Sequence, residues 1–158
     1  MEPMIRRAEA RDVPRMLELV RELAIFEKEP DAVTVTGEAM LEDGFGKRPV
    51  WFGWVAEDGT GLVGMALCYD RYSTWKGRCL YLEDIVVTAS ARGRGIGERL
   101  FRRCVQHGVE QGYQWMRWQV LDWNTDAIRF YRRLGAEVSA GWLNGDMSAV
   151  QMRNFAAR

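Results

Sequence analysis

The apolar positions change period several times along the chain. Residues 4–9 read as a short first strand. In residues 11–26 the apolar side chains Val13, Met16, Leu17, Val20, Leu23 and Ala24 recur at helical spacing, and Pro14 sits where a missing N–H costs little. Thr36 can cap a second helix through Asp43, with Gly44-Phe45-Gly46 stopping it. Three strands then meander: 50–57, 62–72 and 78–87, joined by turns at 58–61 and 73–77. Residues 96–111 return to helical spacing, with Ile96, Leu100, Cys104, Val105 and Val109 predicted on the buried face. A strand over 115–121, a helix over 125–134 and two closing strands, 136–139 and 147–155, complete the pattern.

The strand meander before the last helices argues against a doubly wound dinucleotide fold, in which strand and helix alternate from the start. No linker, repeat or low-complexity segment interrupts residues 1–158, so one domain with one core is expected. The 22 basic and 22 acidic residues cancel, which argues against nucleic-acid or membrane-surface binding. No apolar run has the length of a membrane span, and no signal-peptide pattern opens the chain, so a cytoplasmic protein is expected. Cys68, Cys79 and Cys104 lack metal-ligand spacing, and His107 is the only histidine. No metal is expected, and a serine–histidine hydrolase is disfavoured.

The stretch Arg92-Gly93-Arg94-Gly95-Ile96-Gly97 stands between a strand and a helix. Such a turn gathers backbone N–H groups at the positive end of a helix dipole and suits phosphate oxygens, with the arginines adding charge. Glu98-Arg99 follows where a nucleoside-triphosphatase loop needs Lys-Ser/Thr, and the third glycine comes one residue early for a dinucleotide loop. An ordinary surface turn is the competing reading.

The spacing Arg92-x-x-Gly95-x-Gly97, with Asp122-Trp123-Asn124 and the run from Ala127 through Tyr131 to Ala136, resembles the GCN5-related N-acetyltransferases. Glu42-Asp43-Gly44-Phe45-Gly46, Trp75-Lys76-Gly77-Arg78 and Leu80-Tyr81-Leu82-Glu83-Asp84 are similar to the diamine and thialysine branch of that family. The resemblance implies an α/β (α+β) fold: a central mixed, mostly antiparallel sheet flanked by helices on both faces. It implies acetyl-CoA as cosubstrate, a small-molecule amine as acceptor, direct attack in a ternary complex, and a homodimer. It places the pyrophosphate on Arg92, Gly93, Arg94, Gly95, Ile96, Gly97 and Glu98. The pantetheine arm falls to the backbone of Ile85, Val86 and Val87, with Asn124 and Ala127 beyond it.

Acetyl transfer to an amine needs a proton acceptor for the ammonium and a donor for the departing thiolate. Tyr131 is the candidate donor, on the resemblance; its competing reading is a packed helix tyrosine beside Phe130. Glu83 is the candidate acceptor. In strict alternation Glu83 and Asp84 point to opposite faces, so one carboxylate sits on a face shared with apolar residues and needs a partner cation. An ion pair with a nearby Arg or Lys would satisfy it equally. Phe26, Glu27, Trp75, Glu83 and Asp84 are the candidate substrate residues. Phe26 stands where relatives often carry tyrosine, and Ser73-Thr74 where they often carry aspartate and proline. Fewer distant acids imply a small amine with one nearby charge rather than spermidine or spermine. A peptide acetyltransferase and a non-catalytic acetyl-CoA sensor are the competing functions.

Overall fold

The computed structural model describes residues 2–158. Five strands lie side by side in chain order: β1 (Met4–Arg7), β2 (Phe52–Asp58), β3 (Gly61–Ser73), β4 (Gly77–Val87) and β5 (Trp115–Arg117). The first four are antiparallel neighbours and β5 runs parallel to β4. The sheet is therefore mixed, mostly antiparallel and open. Three helices accompany it: α1 (Val13–Phe26), α2 (Gly37–Phe45) and α3 (Ile96–Glu110). These elements belong to a first compact unit ending at Gln119; a second unit covers Val120–Arg158.

Within the first unit the period-2 alternation of the strands feeds two layers. Val55, Met65 and Val86 turn to one face and form a core with Met16, Leu17 and Leu19 of α1 and Met40 of α2. The opposite face receives α3. There Trp54 stacks edge-on against His107 at 5.0 Å, and the Cys68 and Cys104 sulfurs lie 3.8 Å apart. Helices thus cover both faces, as expected. Removing a Leu- or Met-sized side chain from water stabilises the fold by about 1.5–3 kcal/mol, and Met16, Leu19, Met65, Leu80 and Leu100 are all fully buried.

Local signals explain most boundaries. Thr36 accepts the Ala39 N–H and caps α2, which runs through Gly44 to Phe45. Pro14 lies in the first turn of α1. The start of α1 is tied to β1 by Asp12, a buried carboxylate that accepts two Arg6 N–H groups at 2.7 and 2.9 Å and the Glu9 N–H at 2.8 Å.

Four expectations are corrected. On α3 the buried stripe is Ile96, Leu100, Phe101, Cys104 and Gly108, while Val105 and Val109 are 39% and 77% exposed. The stripe follows the i, i+4, i+8 row, and Gly108 lets the helix come down on Leu80. The strand expected over 115–121 ends at Arg117, and Trp118 packs edge-on against Phe101 at 5.2 Å instead. In the second unit residues 136–139 form no strand. Residues 147–155 are not a strand either, since Ala149–Ala156 is a helix, α5, following α4 (Thr125–Arg133). Ser148 and Gln151 form a reciprocal capping box that starts α5, and such a box outweighs a loose apolar pattern.

Candidate functional site

After β4 a short 3₁₀ turn, Ala89–Ala91, leads into the glycine stretch. Gly93 and Gly95 have φ of 76° and 71°, a left-handed backbone that glycine adopts without strain. Gly95 is the N-cap of α3 and no side chain caps that end among the described residues. The N–H groups of Ile96, Gly97 and Glu98 therefore remain as donors at the positive end of the helix dipole. Glu98 instead pairs one turn on with Arg102 at 3.0 Å. Such a cradle fits a diphosphate, which needs clustered donors and no obstructing Cβ. Arg94 lies 3.1 Å from Asp58, and the Arg92 Nε donates to the Val87 carbonyl at 3.1 Å.

The strand leading to this turn has an open side. β5 pairs only with Cys79, Leu80 and Tyr81, so on that side the backbone from Leu82 to Val87 has no strand partner among the described residues. On its other side Ile85, Val86 and Val87 pair with Ala66, Met65 and Gly64. An open edge of this kind accepts an extended ligand arm as an added strand.

The acidic residues are placed by a bulge. Cys68 pairs with Leu82 but Leu67 pairs with Asp84, which leaves Glu83 as the extra residue on β4. Strict alternation therefore fails at this point. Asp84 takes the face of Leu67, which packs on the α1 core. Glu83 reaches the same face, where its Oε2 accepts the Tyr69 phenol at 3.0 Å. Both carboxylates thus share one side. Glu27, the C-cap of α1, approaches them closely enough for its charge to act on Asp84. Burial first, then the charges of Glu83 and Glu27, pushes the Asp84 carboxyl up to about 6. Burial also raises that of Glu27. The negative end of the α1 dipole adds to the field. The helix closes there through Lys28, whose φ of 66° is rare for a residue with a Cβ. Clustered acids at a helix C-terminus form a seat for a cation.

The two halves adjoin. The Arg92 guanidinium lies 5.5 Å from the ring centre of Phe26, the last residue of α1, so the glycine turn touches the acidic side. Trp75 stands apart at the tip of the β3–β4 hairpin, 82% exposed, where Ser73 Oγ accepts the Trp75 and Lys76 N–H groups. Gly77 to Glu83 along β4 is a distance of about 20 Å at strand rise, so Trp75 is not brought to the carboxylates by this hairpin. In the second unit Asn124 caps α4 by accepting the Ala127 N–H at 3.2 Å. Tyr131 is buried on that helix and meets the Phe130 ring at 5.2 Å. Sequence reasoning missed Tyr69. Its signal is only the cross-strand pairing with Tyr81, which no spacing along one strand reveals. Among the described residues no three His, Cys, Asp or Glu side chains stand close enough to hold a metal ion together, and no helix is long and apolar enough to cross a membrane.

Comparison with known proteins bears on this geometry. The family model for acetyltransferases (GNAT) matches residues 13–136. The thialysine N-epsilon-acetyltransferase of Bos taurus is 39% identical over 166 residues, covering 98% of both chains. The spermidine/spermine N(1)-acetyltransferase-like protein 1 of Homo sapiens is 38% identical over 139 residues, covering 84% of this chain and 20% of that protein. A solved aminoglycoside N-acetyltransferase in complex with CoA shares the fold, with a TM-score of 0.74, 20% identity, and coverage of 92% and 94%.

Proposed function

The chain belongs to the acetyltransferase (GNAT) family, and from that premise we propose that it moves the acetyl group of acetyl-CoA to a primary amine of a small acceptor. The acceptor is a thialysine- or lysine-like amino acid or a short diamine. The observation that carries this is the acidic seat of Glu27, Glu83 and Asp84 beside the open edge of β4. An acidic face of this kind suits one ammonium group held at the reacting end, and the relatives named for thialysine and spermidine/spermine point to the same acceptor class.

Acetyl-CoA, when bound, supplies an activated thioester. The chain does the rest. The amides of the glycine turn and the arginines Arg92 and Arg94 bind the diphosphate, and the backbone of Ile85, Val86 and Val87 holds the arm. We assign Asn124 and Ala127 to the arm as well. Glu83 receives the ammonium, whose ordinary pKa of about 10.4 keeps it charged near neutral pH, and takes its proton directly or through one water. Tyr131 presents its phenol to the thiol end. Phe26, beside Glu27 at the end of α1, completes the acceptor set, and Trp75 at the far hairpin tip falls outside it. In the same reading residues 1–158 act as one acetyltransferase domain, as a cytoplasmic homodimer; a monomeric mass in solution at micromolar concentration would overturn the dimer.

A CoA-release assay across amines tests the function. Thialysine, lysine and short diamines should be used with higher kcat/KM than spermine, and Tyr131→Phe should lower kcat at least tenfold if the phenol protonates the thiolate. Preferential acetylation of peptides, read by product mass, would overturn the acceptor class. An unchanged kcat in Tyr131→Phe would remove Tyr131 from the donor role.

A further inference from the structure

The bulge that brings Glu83 onto the acidic face also leaves it exposed, beside Asp84, with which its charge interacts unfavourably. An exposed glutamate under repulsion rotates into solvent unless something holds it. One group does. The Tyr69 phenol, on the neighbouring strand, donates to Oε2 at 3.0 Å and leaves Oε1 to accept from a ligand. The ring behind that phenol is itself fixed. It lies on Tyr81 with centroids 5.1 Å apart and planes 31° from parallel, and the Arg71 guanidinium sits 5.2 Å from the Tyr81 ring centre. Tyr69 and Tyr81 are cross-strand partners, so the stack is built into the sheet register.

We propose that Tyr69 is a positioning residue for the acceptor amine, holding the Glu83 carboxylate on the acidic face so that its free oxygen meets the substrate ammonium. This deepens the proposed function and rests on its assignment of the amine to Glu83. The phenol suits the task because burial and the neighbouring carboxylate both hold it protonated, well above the usual tyrosine range, so it remains a donor near neutral pH. The clamp bonds to Glu83 and stacks on Tyr81, neither of which is assigned to the diphosphate or the arm.

The test is a double-mutant cycle on Tyr69→Phe and Glu83→Gln, with thialysine as the acceptor. Two readouts are taken: steady-state KM and kcat for each substrate, and calorimetric binding of thialysine to the CoA-saturated protein. A hydrogen bond to a charged group is worth about a tenfold change or more. Tyr69→Phe should therefore raise the thialysine KM and dissociation constant about tenfold, with the acetyl-CoA KM unchanged and the thermal midpoint close to wild type. In the Glu83→Gln background the same substitution should change thialysine binding less than twofold. Unchanged thialysine affinity in Tyr69→Phe, or an equal loss in both backgrounds, overturns the positioning role while leaving the acceptor class standing. A wild-type protein that neither binds nor acetylates thialysine, lysine or short diamines overturns both.

Discussion

Removing the Asp84 charge should stabilise the protein while damaging it as an enzyme. The folded carboxyl titrates at about 6 against an ordinary 3.8, because burial and the charges of Glu83 and Glu27 disfavour its ionised form. Below pH 3.8 the group is protonated in both folded and unfolded chains and contributes nothing to the difference. Between 3.8 and about 6 the unfolded chain releases its proton while the folded one keeps it. The unfolded state then binds fewer protons, so stability falls as pH rises through this window. At roughly 1.4 kcal/mol per pH unit the loss approaches 3 kcal/mol and is complete above pH 6. Asp84→Asn keeps the shape and removes the charge. In urea titrations it should exceed wild type by about 2–3 kcal/mol at pH 7.5 and match it at pH 4. Thialysine kcat/KM should drop at least tenfold, since a carboxylate facing the ammonium is lost. A variant that is equally stable or less stable at pH 7.5, or whose advantage does not shrink as pH falls, would refute the reasoning.

Asp12 has the opposite sign. Its burial, which would raise its pKa, is outweighed by the Arg6 and Glu9 hydrogen bonds, so the carboxyl is held below its ordinary value. Its contribution is present above pH 3.8 and lost as pH falls through the folded value. Asp12→Ala strands a half-buried Arg6 and should cost about 3–5 kcal/mol in urea unfolding at pH 7; a loss under 1 kcal/mol would count against the pair. Gly95→Ala meets no neighbour within 4 Å, so its cost is conformational only, from φ of 71°. It should destabilise by about 1–2 kcal/mol and weaken CoA affinity about tenfold by calorimetry, and unchanged CoA binding would argue against the turn as the diphosphate cradle.

Much of this was legible from the chain because local chemistry dictated it. Thr36 caps α2 and the glycine turn opens α3 where the residues say so. Two of the misreadings, on α3 and at Glu83, concern relations between elements. Which valines of α3 face the sheet depends on Gly108 allowing close approach to Leu80, and nothing within the helix marks that row as the buried one. Residues 147–155 differ: their apolar positions fit two periods, and the local capping box of Ser148 and Gln151 decides for the helix. The bulge at Glu83 is the hardest case. Leu80 to Val87 reads as regular alternation, and only the register against β3 reveals the extra residue.

That extra residue is also what joins the two halves of the proposed site. β4 must do two incompatible things with one backbone. Its later half offers an open edge to an acyl donor, and its middle must offer carboxylates on a face to an amine. In a regular strand Glu83 and Asp84 would point apart, and only one could meet the end of α1. The bulge puts both on the α1 side, within about 7 Å along the strand of Ile85, where the open edge begins to serve the donor. Deleting residue 83 would restore regular pairing and still leave Asp84 opposite Leu67, buried beside Glu27. The acidic seat would then lose its one exposed carboxylate and its tyrosine clamp together. The placement of the amine therefore depends on the irregularity of this strand as much as on the identity of its acids.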